Sequence, residues 1–585
     1  MDQGTEFKSL VGALREHAST RPDDRAYVFL DERGQEASSL TFAELDRRAA
    51  ALAEELAARS RPGDRALLMF PAGLDFIVAF FACQYSGLLA VPTILARQRG
   101  LRDSSVKIIE DCEPRLVLTA HSSLEHMRAA YARVPGAAGL DWVGVNHTRL
   151  APGAASPAVR TWPGPQTISY LQYTSGSTSS PKGVMVSHGN LSANLQMIST
   201  ADELGSHSTR VGWIPLFHDM GLIFNALQAT WVGALCVLMA PLTFLARPLS
   251  WLRAIHEYRA EMAIAPNFAY DLCLEHYDAE KMRGVDLSCW KLALNGAEPV
   301  RAGTIEQFVE TFAAHGLSPS APHPTYGMAE ATLMISGGRH GGRPKLWAVS
   351  RRWLRRDRAV APADGEASQA LVGCGKVLPG EQIAIVDPDE KRRLPAGRVG
   401  EVWVSGPHVA RGYWGRPEAT REIFHAEIDG EDGTRWLRTG DLGCLDETGE
   451  LYITGRLKDM MIIRGANFYP QDLELTVEKS HPALRPGHCA AFTSPKGERE
   501  ILVVACEVRP EHVRRLDADD VAGLVRQRVV REHELTVHHV LLTPPGSILK
   551  TTSGKIRRQA TRERWQRGEL PTIDSAAGAL LEASP

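Results

Sequence analysis

The chain predicts an α/β fold. It should have a large N-terminal domain of parallel-rich sheets with packed helices, a β-rich subdomain, and a small α+β domain at the C-terminal end. Three features carry this expectation. From about Leu10 to Thr119, short apolar runs alternate with longer amphipathic segments, the pattern of strands joined by crossover helices. EQIAIVDPDEKRRLPAGRVGEVWVSG at 381–406 sets Val, Ile and Trp runs around Gly/Pro turns, as β-hairpins do. After Gly455 a shorter set of strand-like and helical segments follows. At 585 residues the chain exceeds a single core, with a length prior of about four domain-sized units.

In chain order, ALLMF at 66–70, LLAVPTI at 88–94 and RLVLTA at 115–120 read as strands. TFAELDRRAAALAEELAARS at 41–60 spaces its apolar residues as a helix does, with Thr41 as N-cap. Two uncharged stretches, 76–96 and 220–246, are long enough to span a membrane. Gln84, Tyr85, Ser86, Gly87 and Pro92 interrupt the first, and Asn225, Gln228 and Pro241 the second, so each is expected as buried helix then strand, with no membrane span. A Pro/Gly/Ala-rich loop at 146–167 precedes the strand ISYLQY at 168–173, and VMVSHGNLSANLQMI reads as a strand end and a helix. Arginine-heavy residues 337–373 look like an insertion lying mostly on the surface. Beyond the hairpins, MMIIRG, ILVVACEV and HHVLLTP are strand-like, and DADDVAGLVRQRVVREH is helical. The expected domains are 1–455 and 456–585.

Composition narrows the function. A net charge of −3 argues against a nucleic-acid binder, which needs a basic excess or face. Nine single cysteines, with no CxxC pair, suit a reducing compartment rather than a metal or disulfide framework. The charged N-terminus has no signal-peptide core, and a cytoplasmic location is expected.

YTSGSTSSPKG at 173–183 concentrates hydroxyls and a glycine ahead of Lys182. Backbone N–H groups in such a turn form an anion-binding concavity, hydroxyls add donors, and a lysine supplies a point charge suited to phosphate. A Walker loop is excluded: Pro181 stands where that pattern needs glycine, and Gly183 where it needs Ser or Thr.

This loop resembles the phosphate-gripping loop of the adenylate-forming superfamily, which includes acyl-CoA synthetases, luciferases and nonribosomal adenylation domains. NGAEPV at 295–300, TYGMAEAT at 325–332, WLRTGDLG at 436–443, GRLKDMMIIRGANFYPQDLE at 455–474 and TTSGKIRR at 551–558 follow in the family's order. The resemblance implies a carboxylate and ATP giving acyl-adenylate and pyrophosphate, then transfer to a thiol. It implies that Thr174, Ser175, Gly176, Ser177, Thr178 and Lys182 hold the β/γ-phosphates and that Glu330 binds Mg²⁺. Tyr326 would stack on adenine within TYGMAE (with Gly327 and Met328), bordered by Gly296, Ala297 and Glu298. Asp441 would take the ribose hydroxyls, Arg456 would reach ribose or phosphate, and His218 would sit where acyl chain meets phosphate. A mobile C-terminal domain would swing Lys555 over the site about a hinge at Lys458. Ala329 stands where many members carry a threonine hydroxyl, so another donor must serve the α-phosphate there.

The insertion, followed by GCGKVLPGEQIAIVDP, is similar to that of fatty acyl-AMP ligases, as are FHDMGL and RGANFYPQDLE. That likeness implies a long-chain fatty acid or similar hydrophobic acid as substrate. It also implies that the insertion restrains the C-terminal domain, and that a separate acyl carrier protein is the acceptor, with coenzyme A as the alternative. Whether Trp347, Trp353 and Leu354 of the insertion bury against the large domain is left open by the sequence.

Overall fold

The computed structural model describes residues 7–95, 103–132, 134, 136–137, 139–150, 162–174, 181–338, 342–431, 433–496, 499–551 and 554–573. Two sheets organise the large domain. One runs in the order 322–324, 292–295, 262–265, 210–212, 236–239, 25–30, 36–41, and only the last strand is antiparallel to its neighbour. The other runs 141–145, 116–120, 65–68, 89–92, 168–174, 182–187, parallel up to a closing antiparallel pair. Helix Leu74–Ser86 touches strands of both sheets and is apolar all round, as an element buried between two layers must be. Helix Phe42–Ala57 packs beside it and begins as the sequence predicts: Thr41 and Glu44 form a reciprocal capping box.

The two uncharged stretches fold as expected. The first holds helix Leu74–Ser86 and strand Leu89–Pro92, and the second holds strand Cys236–Met239 among short helices. Among the described residues no helix is long and apolar enough to cross a membrane. Met220–Leu227 winds as a π-helix, a winding frequent at functional sites, and the Gln228 N–H donates to the Ile223 carbonyl. The Phe224 carbonyl there accepts 2.8 Å from the guanidinium of fully buried Arg210. All nine cysteines are free, and all but Cys289 are buried.

The hairpin-rich region forms an antiparallel sheet in the order 382–386, 400–405, 437–445, 451–456. Beyond it, strands 484–496, 499–508 and 537–543 form a second small sheet, with helices Pro470–Glu478, Ala518–His533 and Arg558–Gln566. Its own apolar core runs from Met461 to Ile573. The insertion is more ordered than a surface decoration. Strands 346–350 and 368–372 pair antiparallel around the short helix Arg351–Leu354. Val349, Leu354 and Leu371 are buried in one cluster with Leu442, Cys444 and Tyr452 of the large domain and with Tyr469. Trp347 packs at its edge, 5.2 Å from the Tyr452 ring, whereas Trp353 lies under the guanidinium groups of Arg352, Arg356 and Arg358.

Candidate active site

Strands 168–174 and 182–187 pair so that Thr174 faces Lys182. Ser175, Gly176, Ser177 and Thr178 fall outside the described residues. A third segment docks on the second strand of this pair: the Met185 N–H donates to the Gly412 carbonyl, the Arg411 N–H to Met185, and the Trp414 N–H to Gly183, at 2.9, 2.9 and 2.7 Å. This register puts the Tyr413 ring 4.7 Å from the Lys182 ammonium.

The opposite wall comes from the ends of the parallel strands. Gly296 follows strand 292–295, and a Cβ there would meet the Thr325 hydroxyl at 2.8 Å, so glycine permits the close approach of the two segments. Ala297 is held at φ 68°, a left-handed conformation unusual outside glycine. The Glu298 carboxylate accepts 2.6 Å from the Phe268 backbone N–H. Tyr326 and Gly327 pair with strand 334–337, and the Met328 N–H donates to the Leu333 carbonyl at 2.8 Å.

Glu330 is buried in the single turn Ala329–Ala331 and accepts 2.9 Å from the Tyr413 hydroxyl. Burial raises its carboxyl pKa, the Tyr413 bond and Arg456 oppose that, and neighbouring Asp219 adds to it. Asp441 is likewise buried. Its two oxygens accept 2.9 Å from the Tyr326 hydroxyl and 2.9 Å from the Arg456 guanidinium, its cross-strand partner. Asp441 in turn raises the Arg456 pKa.

His218 and Asp219 enter from the residues before the π-helix. Their ring nitrogen and carboxylate lie 2.6 Å apart, and the Met220 N–H donates 2.7 Å to Asp219. Burial pushes the Asp219 carboxyl up, but His218, the Met220 bond and Lys555 together hold it below its ordinary value. Lys555 arrives from the C-terminal end in a turn where the Thr551 N–H donates 2.8 Å to its carbonyl and its own N–H donates 3.0 Å to the Thr551 hydroxyl. Burial and the nearby Arg456 lower its ammonium pKa, while Asp441, Asp219 and Glu330 oppose that shift. Gly554 packs beside Phe268, whose ring meets the Trp213–Phe244 stack edge-on. Lys458 is exposed in the turn after strand 451–456, and neighbouring Asp459 accepts 2.8 Å from Arg558.

Lys555, Arg456, Asp441, Asp219 and Glu330 are thus gathered in one electrostatic cluster, and Tyr413 links Glu330 to Lys182. The sequence reading missed Asp219 and Tyr413. Asp219 directly follows His218 in FHDMGL, a signal that was available; Tyr413 reaches the site only through its pairing beside Val184. Among the described residues, no cluster of three or more His, Cys, Asp and Glu side chains could hold a metal. Buried Glu330 beside the Asp219 charge nevertheless suits a hard cation that takes its remaining ligands from phosphate oxygens.

At the insertion, Arg351 donates 3.1 Å to the Glu532 carbonyl and Arg355 donates 3.0 Å to that of His533. The Arg355 guanidinium sits 4.8 Å from the Phe468 ring, and the Asn467 N–H returns a 3.0 Å bond to the Arg355 carbonyl.

Comparison with known proteins bears on the family and the fold. Residues 14–414 match the family model described as AMP-binding enzyme, and 458–575 match that described as Disco-interacting protein 2-like, AMP domain. The chain is 40% identical over 594 residues to the medium-chain-fatty-acid–[acyl-carrier-protein] ligase JamA of Moorena producens, covering 99% of each protein. It is 37% identical over 584 residues to fadD25 of Mycobacterium tuberculosis, named provisionally as a fatty-acid–CoA ligase, covering 97% of this chain and 99% of that protein. The crystal structure of a Legionella pneumophila fatty acyl-adenylate ligase with acyl adenylate and pyrophosphate superimposes with a TM-score of 0.74 at 36% identity, covering 96% of each chain. Motif order, fold and full-length similarity agree, and the chain belongs to the AMP-binding enzyme family.

Proposed function

We propose that the protein activates a long-chain fatty acid or a similar hydrophobic carboxylic acid with ATP, then passes the acyl group to the thiol of a separate acyl carrier protein. In the first half-reaction a carboxylate oxygen bonds to the α-phosphorus, the bond from that phosphorus to the bridging oxygen breaks, and pyrophosphate leaves. In the second, the thiol sulfur bonds to the acyl carbon, AMP departs, and the thiol proton is released. The observation that carries this reading is Lys555, brought from residue 458's far side of the chain into the charge field of Asp441, Asp219 and Glu330.

Two anions meet in the first step, so donors placed where charge builds up lower its barrier most. Lys555 bridges carboxylate and α-phosphate oxygens. Lys182, Thr174 and the loop of Ser175, Gly176, Ser177 and Thr178 grip the outer phosphates. Tyr326 stacks on the adenine, bordered by Gly296, Ala297 and Glu298 with Gly327 and Met328, and Glu298 also fixes the Phe268 backbone. Asp441 keeps lone pairs for the ribose hydroxyls beyond those that Tyr326 and Arg456 use, since a carboxylate offers about four acceptor sites. His218, paired with Asp219, sits beside the reacting oxygens. Glu330 holds Mg²⁺, which when bound neutralises phosphate charge. Trp213, Phe244 and Phe268 supply the start of an apolar wall.

We further assign residues 1–455 as the adenylation domain and 456–585 as a lid turning at Lys458. The contacts of Arg351 and Arg355 support an insertion that biases the lid's population through interactions present in this arrangement. That favours a carrier-bound thiol over free coenzyme A, in keeping with the name of JamA; the name of fadD25 favours the second reading, an acyl-CoA ligase.

The test is a panel of carboxylic acids with ATP and Mg²⁺, with and without phosphopantetheinylated carrier protein or coenzyme A, read by mass spectrometry. Acyl-AMP, pyrophosphate and acyl-carrier product are expected for fatty acids, with little acyl-CoA. Efficient acyl-CoA formation moves the acceptor to the second reading; absence of pyrophosphate with every hydrophobic acid ends the adenylation reading.

A further inference from the structure

We propose that Tyr413 is a positioning residue that couples the two charged groups of the triphosphate site, orienting the Glu330 carboxylate through its hydroxyl and the Lys182 ammonium through its ring. The inference rests on Glu330 as the metal ligand and Lys182 as the phosphate cation. Its own basis is geometric. The hydroxyl donates 2.9 Å to one Glu330 oxygen, which leaves the other oxygen to face a cation. The Lys182 nitrogen lies 4.7 Å from the ring centroid, within the range where a cation is attracted to the ring face. Among the described residues this ring faces that ammonium, and no carboxylate lies within salt-bridge distance of it.

The ring is itself held firmly. Its backbone N–H donates 3.0 Å to the Thr420 hydroxyl, Phe424 packs edge-on at 5.0 Å, and flanking residues 411, 412 and 414 bond to the strand that carries Lys182. Gly412, at φ 126°, keeps this turn close: a Cβ there would meet the Thr420 side chain at 2.3 Å. One side chain, fixed to the lysine's own strand, therefore sets the spacing of an anion-facing cation and a cation-facing anion. Among the described residues no bond joins the two side chains directly, and the tyrosine contacts both.

Two substitutions separate its two contacts. Tyr413→Phe keeps the ring and removes the hydroxyl; Tyr413→Leu removes both. ATP binding is measured by calorimetry without acid substrate, across a Mg²⁺ series that begins metal-free, with Glu330→Gln as reference. For Tyr413→Phe the metal-free affinity should stay within about twofold, and the Mg²⁺ concentration giving half the affinity gain should rise roughly fivefold, the loss of one charge-assisted bond. Tyr413→Leu should add a roughly three- to tenfold loss of metal-free affinity as the ammonium loses its ring. If Tyr413→Phe keeps the native Mg²⁺ response while Glu330→Gln shifts it, the coupling is wrong and the metal reading stands. If Glu330→Gln also leaves the response unchanged, the metal role of Glu330 falls and the coupling falls with it. Equal loss of metal-free affinity in both tyrosine variants means a general packing role and overturns the proposal.

Discussion

The C-terminal portion meets the large domain at two places that differ in kind. At the insertion the contacts are directional: guanidinium groups of Arg351 and Arg355 on backbone carbonyls at 3.1 and 3.0 Å, and the returning bond from Asn467. At the catalytic end, Lys555 lies in a mixed charge field, with Arg456 opposing its ammonium and Asp441, Asp219 and Glu330 favouring it, and Gly554 lies beside Phe268. Two long ion pairs, Arg301–Glu478 at 3.7 Å and Arg509–Glu275 at 3.8 Å, lie between these extremes. Directional bonds fix an orientation and fail abruptly when it changes, whereas charge attraction in a site shielded from water tolerates displacement. In the mechanism proposed above, Lys555 follows the reacting oxygens while the insertion edge stays registered.

The largest effect should come from the charged end. Lys555→Ala should lower pyrophosphate release about 10²–10³-fold, the cost of losing a transition-state donor, while transfer from preformed acyl-AMP changes only a few-fold. A drop shared equally by both half-reactions would show that the lysine supports folding of the site rather than the first step.

The bonded edge should give a smaller and opposite signature. Replacing both Arg351 and Arg355 by Ala removes charge-assisted bonds to the carbonyls of Glu532 and His533. Adenylation should stay within about threefold, hydrogen exchange at 532–535 should quicken, and acyl-CoA formation should rise roughly three- to tenfold. Unchanged exchange would leave the insertion without a hold on the lid.

The smallest effect is a pH dependence at the same edge. Burial, with Arg351 and Arg355 nearby, lowers the His533 imidazole pKa to about 4, and its ring nitrogen lies 2.7 Å from the Thr476 hydroxyl. The folded state prefers the neutral ring, so its contribution is complete above the ordinary histidine pKa and is lost as pH falls from about 6.5 towards about 4. Asp472 next to Arg351 works against this trend, because burial raises its carboxyl pKa to about 6. The difference in exchange at 532–535 between the native chain and His533→Gln isolates the imidazole; it should widen below pH 6.5 and vanish above it.

Much of the layered core was legible because strand and helix periods are local. The capping box at Thr41 and the strands at 65–68, 89–92, 116–120 and 168–174 fall where apolar spacing puts them. Motif order likewise located Asp441 and Arg456, but not that they sit opposite each other on neighbouring strands and are already paired. Motif order also named Glu298, but not that the turn after strand 292–295 brings its carboxylate onto the backbone N–H of Phe268. The insertion's arginines suggested a surface, while the few aliphatic residues that decide its packing are diluted among them. Tyr413 gives no local sign, since its partners lie 83 positions away at Glu330 and still further at Lys182.

The wide winding of Met220–Leu227 has a consequence for how the site tolerates change. A five-residue reach from Gln228 back to Ile223 sets the angular phase between Asp219 at one end and the apolar residues that follow. Deleting a single residue would let the segment tighten into ordinary α geometry and would reset the phase between Asp219 and the positions beyond. Length here works as a rotational setting, so point substitutions leave the aim of Asp219 intact where a one-residue gap would not.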